Sequence, residues 1–320
     1  MPHSNDGLFK GVPHERVLVD TDRPSKNVAR VMGYIDSKII GQPRALSGIA
    51  HALEFDYANP PLWLPGAPMG IKLFVGPPGT GKTETAYALA RGWIGELDRG
   101  FTNEILEPVT KIDCTEYATE YAIANLKGSD KGLVGYDDET PLMQNVIDRY
   151  HFEVEFKQRF DALARSRAEA TEGYKTSKKG VEVKLTNKDL LRISMEINQE
   201  ISVFRKVILF DEVESAHPSL WHLLKSILNR KPIRFSNGTS TEFTRGFLIL
   251  TSNIGEREIQ KKLSGGELGF HKSIEEVDPA KVDEIIYKTA LQEIERIFPP
   301  ALVSRLREHI VVFRPLHGDD

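Results

Sequence analysis

The sequence predicts an α/β fold: a parallel five-stranded sheet covered by helices on both faces, with a phosphate-cradling loop after its first strand. Two observations carry this expectation. Short β-branched or apolar runs recur at 71–75, 109–113, 207–210, 246–250 and 310–313, and helical patterns separate them. That alternation is the mark of a parallel sheet whose ligands sit beyond the carboxyl ends of its strands. In addition, the octet GPPGTGKT, Gly76 to Thr83, follows the first run and opens the helix-like segment 84–92.

Composition bounds the function classes. The chain has 320 residues, 40% of them hydrophobic, enough for one large decorated domain or two small ones. A formal charge of −4 and a pI near 6.2 argue against a surface that coats nucleic acid. The single cysteine, Cys114, excludes an internal disulfide and reads as a small buried hydrophobe rather than a catalytic thiol. The first ten residues, MPHSNDGLFK, lack a basic-then-apolar leader, and no apolar run approaches transmembrane length. A cytoplasmic chain with no membrane partner is the expectation.

Along the chain, residues 1–30 are rich in Pro, Asp, Arg and Lys and read as a loosely packed arm, bounded at residue 35. The first strand then delivers the P-loop of a nucleoside triphosphatase. Pro78 opens the phosphate-binding turn, Gly79, Thr80 and Gly81 wrap backbone N–H groups around a phosphate, Lys82 reaches the outer phosphates, and the Thr83 hydroxyl ligates Mg²⁺. The second run, 109–113, leads into a helix. Residues 150–205 form a charged insertion with structure of its own, whose Lys175, Lys178 and Lys179 belong to a solvated loop or meet an acidic partner.

The stretch KVILFDEVESAHP, Lys206 to Pro218, is a buried-type strand ending in two acids. Asp211 can hold the metal's water shell, and Glu212 can orient and polarise the water that attacks the γ-phosphate. Pro218 suits the first turn of the next helix, which leaves His217 as a capping or packing residue. Asn253 closes the run FLILTSN and is a second candidate for positioning that water. In FPPALVSRL, Arg305 sits on a short helical turn before the last strand, placed to reach a neighbouring subunit's γ-phosphate.

These four motifs, in this order, resemble the AAA+ superfamily, and specifically the second ATPase ring of the Clp-type unfoldases and disaggregases. DEVESAHP resembles that family's Walker B signature, TSNIG its sensor 1, Ile39-Ile40-Gly41-Gln42 its adenine-side motif, and KIDCTEY its second strand with the helix after it. The resemblance covers about residues 36–316, the large ATPase subdomain. It implies ATP and Mg²⁺ as cofactors, Ile40 and Gly41 at the base, hydrolysis of ATP, and a homo-hexameric ring that threads a protein substrate through its pore.

Three departures accompany the resemblance. The family's pore loop reads Gly-Tyr-Val-Gly, whereas this chain has Leu133 at the aromatic position, with Tyr136 nearby. The insertion interrupts a segment that family members cross directly. The helical lid is expected to begin only at 317–320, so the sensor 2 arginine has no counterpart and weak turnover is expected of this chain by itself. Separately, Leu268-Gly269-Phe270 resembles the tripeptide with which protease-linked members dock a Clp-type peptidase; alternatively it packs on its own domain. Leu133 favours an alternative reading, a nucleotide-gated ring assembly or regulatory module that threads nothing. The acidic balance and the DEVESAHP signature weigh against DNA remodelling.

Overall fold

The computed structural model describes residues 26–58, 68, 70–94, 108–128, 138–150, 175–177, 180–182, 206–243, 246–265 and 279–315. Helices α1 (Lys26–Asp36) and α2 (Pro43–Ala58) come first, and strand β1 (Gly70–Val75) then feeds α3 (Lys82–Ile94). Strand β2 (Val109–Asp113) passes through one 3-10 turn into α4 (Glu120–Asn125), and α5 (Gln144–Tyr150) follows. Within the insertion, β3 (Lys175–Ser177) and β4 (Gly180–Glu182) pair antiparallel. The remainder runs β5 (Lys206–Asp211), α6 (Ser219–Leu228), the small antiparallel pair β6 (Ile233–Arg234) and β7 (Ser240–Thr241), then β8 (Gly246–Ser252). It ends with α7 (Glu256–Gly265), α8 (Pro279–Ile297), α9 (Pro300–Leu306) and β9 (Ile310–Val312).

The five long apolar runs are the five strands of one parallel sheet, in the order β2-β5-β8-β1-β9. Because both faces are covered, each strand reads as a continuous apolar run rather than an alternating one. Ile71, Leu73, Ile208, Phe210, Leu248 and Leu250 face a core shared with α6, α8 and α9, while Phe74, Val207, Leu209, Phe247 and Ile249 face α1, α2 and α3. Phe74, Phe210 and Phe247 are among the largest fully buried side chains. Truncating one to alanine costs about 3–5 kcal/mol in a well-packed interior. Cys114 is buried in the first of these cores, where desolvation pushes its thiol pKa up and leaves it inert.

The expected arm, bounded at residue 35, includes residues that form α1 (Lys26–Asp36). Val28, Val31, Met32 and Ile35 recur at helical spacing, and α1 buries Val28, Val31 and Ile35 against the sheet's second core. Gly92 of α3 makes the close approach possible, since a Cβ there would lie 3.2 Å from both Val31 Cγ1 and the Val31 carbonyl oxygen. On the far side, Asp148 of α5 pairs with Lys206 at the start of β5 and also accepts from Gln144 Nε2 at 2.9 Å. That pair ties together the two flanks of the insertion.

Candidate active site

The strand order decides where the chemistry gathers. Strand β8 lies between β1 and β5, so the loop after β1, the acids after β5 and the polar end of β8 converge at one carboxyl edge. The loop after β1 is closely fitted. A Cβ on Gly76 would fall 2.2 Å from the Phe313 carbonyl oxygen, and Gly79 and Gly81 take φ of 76° and 90°, conformations that favour glycine. Thr80 Oγ1 donates to Pro77 O at 2.9 Å and braces the turn from within. Helix α3 then starts at Lys82, presenting its N-terminal N–H groups and positive dipole end to the loop's interior.

Lys82 is 7% exposed, and its ammonium donates to Gly76 O at 2.8 Å and Pro77 O at 2.7 Å. Burial lowers its pKa from 10.5 to about 8, against the opposing pull of Glu214, Asp211, Glu212 and Glu256. The side chain is thus a desolvated cation at the edge of an anion cradle.

Asp211, 9% exposed, ends β5 with its carboxylate held on both oxygens. Thr83 Oγ1 and Thr251 Oγ1 both donate to Oδ1, at 2.8 and 2.6 Å, and Lys111 Nζ lies 2.9 Å from Oδ2. Burial pushes the Asp211 pKa up, but the donors Thr251, Lys111 and Thr83 outweigh it and hold the group below its ordinary value.

Glu212 follows in a left-handed conformation, φ 56° and ψ 55°, which costs a non-glycine residue on the order of 1–3 kcal/mol and recurs at functional sites. Its backbone N–H donates to Thr251 Oγ1 at 2.9 Å, and Asn253 Nδ2 donates to Glu212 Oε1 at 3.2 Å. Glu214 lies behind them: its Oε1 accepts from the Asn253 backbone N–H at 2.7 Å. Among the described residues, Glu214 Oε2 and Asn253 Oδ1 are buried without a protein hydrogen-bond partner. Burial raises the Glu214 pKa, only partly offset by the Asn253 N–H.

On the side expected to meet the base, Gln42 outweighs its neighbours. Its Nε2 donates to Arg314 O at 2.8 Å and Thr80 O at 3.3 Å, and its Oε1 accepts from Arg314 N at 3.0 Å. Gly41 takes φ 73°, and its carbonyl accepts from Arg314 Nε at 2.9 Å. Ile40 is 66% exposed. A cavity of ≈ 420 Å³ between α1 and α2 is lined by Ile39, Gly41 and Gln42 but by no P-loop residue.

The structure therefore brings Thr80, Lys82, Thr83, Asp211, Glu212 and Asn253 together, with Pro78, Gly79 and Gly81 forming the loop. Arg305 stands apart, exposed on α9, where its guanidinium donates to Ala301 O at 2.8 Å and Asn229 Oδ1 at 2.9 Å. Leu133 and Leu268-Gly269-Phe270 lie outside the described residues. His217 Nδ1 accepts from the Ser219 N–H at 3.3 Å, a cap at the start of α6. The sequence motifs give Lys111, Thr251 and Glu214 no individual role, and include Gln42 only as the last residue of the adenine-side motif. A hydroxyl directly before Ser252-Asn253, and a lysine two residues before Asp113, were the available signals.

A family model described as AAA domain (Cdc48 subfamily) matches residues 67–161 and 195–309, about two thirds of the chain. The interval it skips falls inside the insertion. A ClpA homolog, an ATP-dependent Clp protease ATP-binding subunit from Cyanidium caldarium, is 27% identical over 314 residues, covering 98% of this chain and 28% of that protein. The ClpC subunit of Staphylococcus saprophyticus is 26% identical over 312 residues, covering 98% and 29%. The chain thus spans less than a third of the length of these curated relatives. Among solved structures, an S. cerevisiae Hsp104–ADP complex superposes with a TM-score of 0.55 at 20% identity, covering 92% of this chain and 37% of that one. A closed-state Hsp104 bound to ATPγS and FITC casein gives 0.52 at 20% identity, covering 93% and 37%. These structural likenesses speak to the fold.

Proposed function

The chain belongs to the AAA domain family (Cdc48 subfamily), its relatives are Clp-type ATPases, and from that premise we propose that it is an ATP-hydrolysing motor subunit that remodels proteins. The observation that carries the reading is the direct bond from Thr83 on the phosphate loop to Asp211 on β5, with Glu212 and Asn253 alongside. Two oxygen donors meet where the γ-phosphate of a bound nucleotide would lie, and they suit a hard divalent cation. Mg²⁺, when bound, would neutralise charge on the phosphoryl oxygens.

The chain's own groups divide the remaining work. Lys82 exchanges its bonds to the loop carbonyls for phosphate oxygens, and the backbone N–H groups of 79–83 hold the rest of the phosphate chain. Glu212 Oε1 accepts one proton of the attacking water and aims its lone pair, while Asn253 fixes the carboxylate's position. The strained backbone at Glu212 points that carboxylate into the site, and the Thr251 hydroxyl bonded to its N–H supports the conformation. Gly41 and Ile40 contribute the adenine side, with Gln42 bracing the loop that carries them against Thr80 and Arg314.

The assembly implied is a homo-hexameric ring acting on a protein substrate, with residues 36–316 as its large ATPase subdomain and Arg305 completing a neighbour's site. The relatives support this reading: the Clp subunits belong to an ATP-dependent protease, and one Hsp104 structure contains casein. Leu268-Gly269-Phe270 is the segment that would dock a Clp-type peptidase. No helix among the described residues is long and apolar enough to cross a membrane; the cytoplasm is the compartment this reading favours. Leu133 in place of a pore aromatic favours a second reading, a nucleotide-gated ring that threads nothing.

The test separates binding from chemistry. Glu212→Gln is expected to leave ATP affinity within about twofold while phosphate release falls at least ~10²-fold, whereas Lys82→Ala loses affinity itself. Equal loss of affinity in both variants overturns the assignment.

A further inference from the structure

The parallel register sets Asp113 directly opposite Asp211, placing two carboxylates at adjoining strand ends beside a site built for phosphates. Like charges so placed repel unless each is committed elsewhere. Asp113 is committed to its own turn: Oδ1 accepts from Thr115 N at 3.1 Å and Thr115 Oγ1 at 2.6 Å. Asp211 is committed through Lys111. Two residues before Asp113 and therefore on the same side of β2, Lys111 extends its ammonium to 2.9 Å from Asp211 Oδ2 and 3.9 Å from Asp113 Oδ2. With Thr83 and Thr251 on Oδ1, the whole carboxylate is then bonded to protein groups.

We propose that Lys111 is the resident counter-ion of Asp211, a positioning residue that makes divalent-cation binding at this site conditional on nucleotide. The inference rests on reading Asp211 as the metal-shell acid. A cation arriving alone beside Thr83 and Oδ1 would have to settle next to an ammonium already seated on Oδ2, and would lie close to the buried charge of Lys82. It would gain in return only one carboxylate and one hydroxyl, Thr83 Oγ1. Among the described residues, no three His, Cys, Asp or Glu side chains gather into a metal-holding group. Nucleotide changes that balance, because its phosphates bring several negative charges and further oxygen donors at once. Lys111 thereby keeps Asp211 oriented between turnovers and excludes free cation from the phosphate cradle, so that metal and nucleotide enter and leave together.

The probe is Mn²⁺ alone, titrated into nucleotide-free protein, with free Mn²⁺ counted by electron paramagnetic resonance. Lys111→Met and Lys111→Gln are expected to bind one Mn²⁺ at least tenfold more tightly than the unaltered chain, while Lys111→Arg, which keeps the charge, binds as weakly as the original. Gln retains a donor to Oδ2 without charge, so its agreement with Met assigns the effect to the ammonium rather than to packing. Adding Asp211→Asn to Lys111→Met should abolish the gain. Equal Mn²⁺ affinity across the Met, Gln and unaltered chains overturns the proposal, as does a gain that survives Asp211→Asn. Failure of the underlying reading looks different: Asp211→Asn alone would then leave the Mg²⁺ enhancement of ATP binding unchanged.

Discussion

Lys82 must be charged to serve a phosphate, yet burial holds its pKa at about 8 in the free protein. Phosphate contact favours the ammonium and raises that value again, so binding above pH 8 carries proton uptake. ATP affinity should be flat near neutrality and weaken by up to about tenfold per pH unit between the folded value and the higher value of the bound state. Calorimetry in buffers of different ionisation enthalpy would show the uptake, and an affinity independent of pH across that window would contradict it. Stability moves the other way. Between the folded value and 10.5 the unfolded chain binds the proton that the folded chain has lost, so stability rises with pH. Glu214 offers the complementary case, since burial raises its pKa and its charged form at neutral pH is disfavoured in the fold. Its folded value lies above the unfolded one, so its contribution to stability falls as pH rises through that interval. Glu214→Gln keeps an acceptor for the Asn253 N–H and removes the charge, and should raise the melting temperature at neutral pH by about 2–4 °C. The gain should shrink in acid, where Glu214 is itself protonated; an unchanged gain at low pH would assign it to packing.

Elements meet the site through close backbone approaches, and Gly76 is the tightest. It joins β1 to the phosphate loop while Phe313 N donates to Val75 O at 2.8 Å, so the chain after β9 presses on the loop. With a Cβ only 2.2 Å from Phe313 O, Gly76→Ala must part these two backbones. Overpacking of this kind costs about 1–3 kcal/mol, read as a lower urea midpoint, and nucleotide affinity should fall with it because the loop moves. An unaltered midpoint would mean that the β1–β9 joint yields freely. The same elements show why some of the architecture was legible in the sequence. Strands buried on both faces leave apolar runs, and phosphate chemistry at their ends leaves GPPGTGKT and DEVES. The helical spacing of Val28, Val31, Met32 and Ile35 was equally present, but the polar composition of the preceding residues masked it. Lys111 on Asp211, Thr251 between Asp211 and the Glu212 N–H, and Gln42 on Arg314 were not legible. Each joins residues far apart in sequence, up to 272 positions for Gln42 and Arg314, and only the tertiary fold brings them together.

At the scale of the whole molecule, Arg305 is the residue that the single chain leaves outside its own site. On α9 its guanidinium rests on Ala301 O and Asn229 Oδ1, both exposed positions, so Arg305→Ala should change stability by no more than about 0.5 kcal/mol. Turnover should nevertheless fall by about 10³-fold if the guanidinium stabilises charge on a neighbour's γ-phosphate. Action across a subunit boundary makes a sharper demand. In a ring that mixes Arg305→Ala chains with Glu212→Gln chains in equal amounts, a competent interface needs Glu212 from one chain and Arg305 from the other. Random mixing in a closed, head-to-tail assembly supplies that combination at about a quarter of interfaces. Phosphate release from the mixture should therefore recover well above the sum of the two inactive parents, once subunit exchange has been verified by fluorescence transfer between labelled chains. Recovery that fails in verified mixed rings would confine Arg305 to its own subunit, where the bonds to α9 and Asn229 already account for it.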